Sequence, residues 1–155
     1  MKIRQSGFSL IELLVVVSII LIIAAIAIPN LMRSRMAANE SSAVGSLRTI
    51  NTAEVIYSAT YPSVGFANLS SLGGTSCTAA TSSMPCLIDN VLSSGSKTGY
   101  KFSTTAGSGT PSVSYTSLAT AAAQGQSGQR SFCSDQAGVI YYGAGATCAV
   151  GTNPL

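Results

Sequence analysis

Histidine and tryptophan are both missing from this chain, and charged side chains make up only 8% of its 155 residues. Without histidine, none of the many serines has an imidazole to activate it, and no lysine stands in an arrangement that would replace one. Beyond Glu54 the only carboxylate side chains are Asp89 and Asp135. No glycine-rich stretch has the strand, spacing and following helix of a nucleotide loop. These scarcities argue against an enzyme: no catalytic residue can be nominated and no cofactor is implied. The eight basic and five acidic side chains leave a formal charge of +3. Beyond Asn30 the chain is rich in Ser, Thr, Gly and Ala, so its surface is neutral and polar and carries no direct nucleic-acid signal.

Metal chemistry is also poorly provided for. The four cysteines, Cys77, Cys86, Cys133 and Cys148, lack the close C-x-x-C spacing of a zinc site, and no histidine can complete one. Two disulfides are the expectation, which implies an oxidising compartment; reduced thiols in the core are the alternative. Three pairings are possible. Closure between sequence neighbours favours Cys77 with Cys86 and Cys133 with Cys148, and the latter loop of about fifteen residues is worth on the order of 3 kcal/mol in the chain-entropy model.

What the sequence does have is a long apolar run. Residues 8–28 are interrupted only by Ser9, Glu12 and Ser18. A helix of that length spans roughly 30 Å, the thickness of a bilayer's hydrocarbon core. Lys2 and Arg4 precede it, so the positive-inside tendency keeps the N-terminus cytoplasmic and sends the rest outward, in agreement with oxidised cysteines. A cleaved secretory signal, with Ala25 and Ala27 as its small-x-small site, and a plain signal anchor both leave Glu12 unexplained. A carboxylate inside a membrane span costs a few kcal/mol unless protonated or paired, which makes Glu12 a functional candidate in need of a partner. No Lys, Arg or His lies within the run. A new α-amino group at Phe8, made by a cut behind Gly7, would stand four residues from Glu12 and could neutralise it within one chain or between neighbours.

The basic leader ending in Gly7, the following Phe8-Ser9-Leu10-Ile11-Glu12-Leu13-Leu14 and an apolar helix containing Pro29 resemble the processing signature of type IV prepilins, the class III signal peptide with its N-terminal methylation motif. The resemblance covers residues 2–35. It implies that a prepilin peptidase and methyltransferase cuts after Gly7 and methylates Phe8, and that Glu12 matches each incoming subunit to the filament. It also implies that the helix continues through Pro29 with a segment able to unwind. Residues 1–7 then form the leader, 8–29 the transmembrane and filament-core helix, 30–61 its amphipathic continuation and 62–155 a disulfide-bonded head.

The second half of the helix is one-sided: Val44, Leu47, Ile50, Glu54, Tyr57 and Tyr61 follow steps of three and four, whereas Arg33, Arg35, Asn39, Glu40, Ser41, Ser42 and Arg48 mark polar positions. Pro62 and Gly65 end it. Residues 67–97 offer little regular structure, apart from a helical turn suggested within residues 86–92. Alternation then predicts a four-stranded antiparallel sheet. Tyr100 and Phe102 form a hairpin with Val113 and Tyr115 across the turn at residues 106–111, and residues 130–133 and 138–142 supply two further strands. Residues 128–140 also resemble a C-terminal strand pattern of bacterial pilins and pilin-like proteins. The expected fold is therefore α+β, a long N-terminal hydrophobic helix packed on a C-terminal antiparallel β-sheet head, as in the pilin fold.

The function implied is a structural subunit of a type IV pilus. Its precursor would wait in the bacterial inner membrane, among lipid, with the head in the periplasm. Pilus assembly machinery would then move it into an extracellular homopolymer. A pseudopilin of a type II secretion system is the alternative within the family. The sparse acids argue against the calcium site typical of the major pseudopilins, because hard cations prefer several oxygen ligands. A membrane-anchored periplasmic binding module is a third reading, for which Tyr100, Tyr115 and Tyr141 would have to line a concave pocket.

Overall fold

The computed structural model describes residues 8–74 and 81–155. Helix α1 (Leu10–Thr60) is followed by short helices α2 (Leu69–Leu72) and α3 (Asn90–Ser93) and by strands β1 (Ser96–Lys97), β2 (Tyr100–Ala106), β3 (Tyr115–Ala121), β4 (Arg130–Asp135) and β5 (Ile140–Ala144). Compact units divide between Arg35 and Met36. In the first, residues 8–35 are helical from Leu10 on and exposed throughout, except for half-buried Ala24. The second is an α+β head.

In the head, α1 buries Glu40, Ala43, Leu47, Ile50, Glu54 and Tyr57, a run of alternating three- and four-residue steps that keeps one helix face inward. These side chains meet a sheet of order β1-β2-β3-β4-β5, antiparallel at every pairing. Along β2, Tyr100, Phe102 and Thr104 point inward, and along β3 Tyr115, Ser117 and Ala119 do the same. Leu47, Ile50, Tyr57, Leu72, Leu92, Tyr100 and Phe132 form the heart of one apolar cluster. Strand β4 is buried on both faces. Phe132 turns toward the helix, while on the far side Ser131 donates to the carbonyl of Gly145 and Cys133 is bonded to Cys148.

The sheet has five strands where the sequence suggested four. The extra one, β1, is only two residues long, too short for alternation to register. Val113 does not extend β3 but is 75% exposed in the loop before it. The poorly patterned connection contains α2 and α3, the latter capped by Asp89, whose carboxylate accepts from the Leu92 N–H at 2.8 Å and from Lys97 at 2.8 Å.

Polar groups inside the head are matched in detail. Asn51 donates to the Ser134 hydroxyl at 2.8 Å and accepts from the Tyr115 hydroxyl at 3.1 Å. Thr104 and Ser117, opposite each other on β2 and β3, share a hydrogen bond of 2.9 Å. Glu40 takes the backbone N–H groups of Gln129 and Arg130 at 2.9 and 3.2 Å and pairs with the Arg130 guanidinium at 2.7 Å. That guanidinium also lies over the rings of Phe132 and Tyr142. Burial pushes the Glu40 carboxyl up, but the Gln129 N–H and the Arg130 guanidinium outweigh it, and the net displacement is downward.

Glu54 is the exception. It is fully buried; one oxygen accepts from the Ala67 N–H at 3.0 Å, and Oε1 has no hydrogen-bond partner. Burial raises its pKa from the ordinary 4.5 to about 7, only partly countered by the Ala67 bond.

Two predictions follow from this packing. Leu47→Ala, at a site with no exposed surface, should destabilise the head by about 2–5 kcal/mol in denaturant titrations of the full chain in detergent. For Glu54, the folded-state pKa lies above the unfolded one, so its proton favours the fold. That contribution is complete below pH 4.5 and is lost as pH rises through about 7. The carboxyls of Glu40 and Asp89 are displaced downward and act below this window. Unfolding free energy should therefore fall between about pH 5 and pH 7.5, with a slope of at most about 1.4 kcal/mol per pH unit, and Glu54→Gln should flatten it.

Candidate functional site

The candidate site is the exposed first part of α1. Its apolar side chains are unshielded: Phe8 is 86% exposed, and the most hydrophobic 18-residue window of the helix is 0% buried. By length and composition the helix is able to cross a membrane. A surface of this kind in water is unfavourable at about 25 cal/mol per Å², so it requires lipid or other apolar surface around it.

Glu12 lies in the first turn of α1, where its charge complements the helix dipole. Its carboxylate accepts from the backbone N–H of Ser9 at 3.4 Å, and the Ser9 carbonyl accepts from Leu13 N–H at 3.3 Å. Ser9 thus precedes the helix, and Glu12 reaches back to it as one half of a capping box. This local role was missed in reading the sequence, although Ser9-Leu10-Ile11-Glu12 is the S-x-x-E signal for it. Pairing of Glu12 with a Phe8 amine needs a cut behind Gly7, and Gly7 lies outside the described residues.

Pro29 sits inside α1, which continues beyond it to Thr60. Having no N–H, Pro29 leaves the carbonyl of Ala25 without its usual helical donor. The hydroxyls of the segment turn back onto the helix: Ser18 donates to the Leu14 carbonyl at 2.8 Å and Ser34 to the Asn30 carbonyl at 3.0 Å. Ser41, Thr49 and Thr52 do the same farther along, onto Ala37, Gly45 and Arg48. Arg33 and Arg35 are exposed, and among the described residues neither forms an ion pair.

The cysteines are remote from this segment in sequence. Cys133 and Cys148 form a disulfide with Cα atoms 5.8 Å apart, closing a separation of 15 residues. Cys77 lies outside the described residues, so its expected pairing with Cys86 stays an expectation; Cys86 is not free. The tyrosines proposed for a pocket are used elsewhere. Tyr100 is buried and donates to the Arg130 carbonyl at 2.8 Å, Tyr115 is buried against Asn51, and Tyr141 is half-buried on β5. Burial raises the pKa of both Tyr100 and Tyr115 to about 12. Among the described residues no group of three His, Cys, Asp or Glu side chains gathers to hold a metal.

The family model described as the prokaryotic N-terminal methylation motif matches residues 2–28. The type IV major pilin protein PilA of Myxococcus xanthus (strain DK1622) is 47% identical over 51 residues, which is 33% of this chain and 23% of that protein. The type II secretion system core protein G of Aeromonas hydrophila is 39% identical over 56 residues, 36% of this chain and 39% of that protein. The chain thus aligns with well under two thirds of either relative's length. No solved structure matches it. The motif, these relatives and the long apolar helix on an antiparallel sheet agree in making the chain similar to type IV pilin-like proteins.

Proposed function

We propose that this chain is a structural subunit of a type IV pilus. The observation that carries the reading is the methylation motif over residues 2–28, joined to a helix whose most apolar stretch is wholly exposed. Cleavage behind Gly7 frees the amine of Phe8, which is then N-methylated. Before assembly the helix lies in the bacterial inner membrane with its head in the periplasm. On assembly it exchanges lipid for the helices of other copies, and Ala24, Ala25 and Ala27 permit close approach. Prepilin peptidase and the pilus assembly machinery are the partners this route requires.

Glu12 has two uses in that route. In the isolated chain it caps its own helix through Ser9. In the filament it meets the Phe8 amine of a neighbour, which removes the cost of a carboxylate in apolar surroundings.

Similarity to a type II secretion core protein supports a second reading, a pseudopilin. Two features favour the pilus. A disulfide holds the far side of the sheet. In addition, the carboxylates that could begin a calcium site are already engaged, Asp89 by the Leu92 N–H and Lys97 and Asp135 by the Ala137 N–H.

Intact-mass and N-terminal mass spectrometry on filaments sheared from cells should find abundant chain beginning at N-methyl-Phe8. Processed chain confined to membranes would favour the pseudopilin, and retention of residues 1–7 would overturn both. Glu12→Ala should insert into the membrane yet enter filaments poorly. Glu12→Gln keeps an acceptor for Ser9 and loses the charge; filament yield equal to the unsubstituted chain would reduce Glu12 to a helix cap.

A further inference from the structure

Both lateral edges of the sheet are occupied by the chain itself. At one edge β1 ends after two residues, and behind it two of the outward amides of β2 are taken: Phe102 N–H donates to the Gly95 carbonyl at 2.8 Å and Ala106 N–H to the Asn68 side chain at 3.0 Å. At the other edge the chain leaves β5, is fixed to β4 through Cys148 and Cys133, and returns along the open side of β5. There Tyr142 N–H donates to the Asn153 carbonyl and Leu155 N–H donates to the Ile140 carbonyl, both at 2.9 Å, with Pro154 opposite Tyr141.

The direction of those two bonds fixes what the new edge offers. With the Asn153 carbonyl and the Leu155 amide turned toward β5, the backbone at position 154 faces away from the sheet. An ordinary residue there would present an N–H and a C=O to any further strand. Proline presents only the C=O, so the outermost position of this edge has no donor. The path also depends on Gly143, because a side chain there would collide with the carbonyl of Thr147 as the chain turns back.

Beneath this cover, β5 is the kind of strand that pairs with itself. Its sequence, Ile140-Tyr141-Tyr142-Gly143-Ala144, is uncharged, and no charged side chain occurs between Asp135 and Leu155. Lysines and inward charges, the common guards of an edge strand, are missing from it. We propose that residues 149–155, pinned by the Cys133–Cys148 disulfide, are a built-in cover that keeps β5 from pairing edge to edge with β5 of a second copy. Such pairing would be antiparallel and two-fold symmetric, so an uncovered head should dimerise.

The test uses the full chain in detergent micelles with residues 149–155 deleted. Light scattering should give about twice the protein mass of the intact chain in the same micelles. Excess synthetic peptide of sequence AVGTNPL should reoccupy β5 in trans and return the mass to that of the intact chain. An unchanged mass, or association that the peptide fails to reverse, would overturn the proposal. If circular dichroism shows that the deletion unfolds the head, Leu155→Pro decides instead, since it removes the N–H that ties the cover to the Ile140 carbonyl while leaving the disulfide in place. Dimerisation about tenfold tighter than in the intact chain is then expected, and no change overturns the proposal.

Discussion

Everything in the head depends on one stripe of α1 lying against β2, β3 and β4. Ala43, Leu47, Ile50 and Tyr57 supply the apolar contact, and the same stripe carries the polar groups that fix its position along the sheet. Glu40 holds the start of β4 through two backbone amides and a guanidinium, and Asn51 holds its end through Ser134. Apolar burial is non-directional and tolerates sliding, whereas these bonds do not. The helix is therefore fixed at two points on β4 separated by the length of the strand.

The repeat of three and four residues made the buried helix face legible in the sequence, because it follows directly from helix geometry. Alternation likewise placed β2, β4 and β5 to within a few residues. What stayed hidden depended on contacts between distant positions. Glu40 reads as a polar surface residue until Gln129 and Arg130, nearly ninety positions away, are brought to it. Glu54 sits in the apolar pattern without any sequence sign that its second oxygen goes unpartnered. Strand β1 is a product of the turn that forms it, and two residues carry no period.

At the N-terminus the situation is reversed. Residues 2–28 were legible as a motif, yet the described part of that segment, residues 8–28, is exposed almost throughout, and no packing around it reveals its use. The capping contact between Glu12 and Ser9 follows from the plain S-x-x-E spacing, although the same carboxylate, set in an apolar run, also points to a partner beyond its own helix. Both accounts of Glu12 are electrostatic and differ only in where the donor comes from, its own backbone or another chain.

The hydroxyls that bend back along α1 have a further consequence. Ser18, Ser34, Ser41, Thr49 and Thr52 each satisfy their donor on a carbonyl of the same helix. None depends on its surroundings for that bond, so the helix can exchange one medium for another without stranding those protons. The hydroxyls along the rod therefore make no demand on the medium around it, and the polar groups whose cost still varies with that medium are the Glu12 carboxylate and the Ala25 carbonyl that Pro29 leaves without a donor.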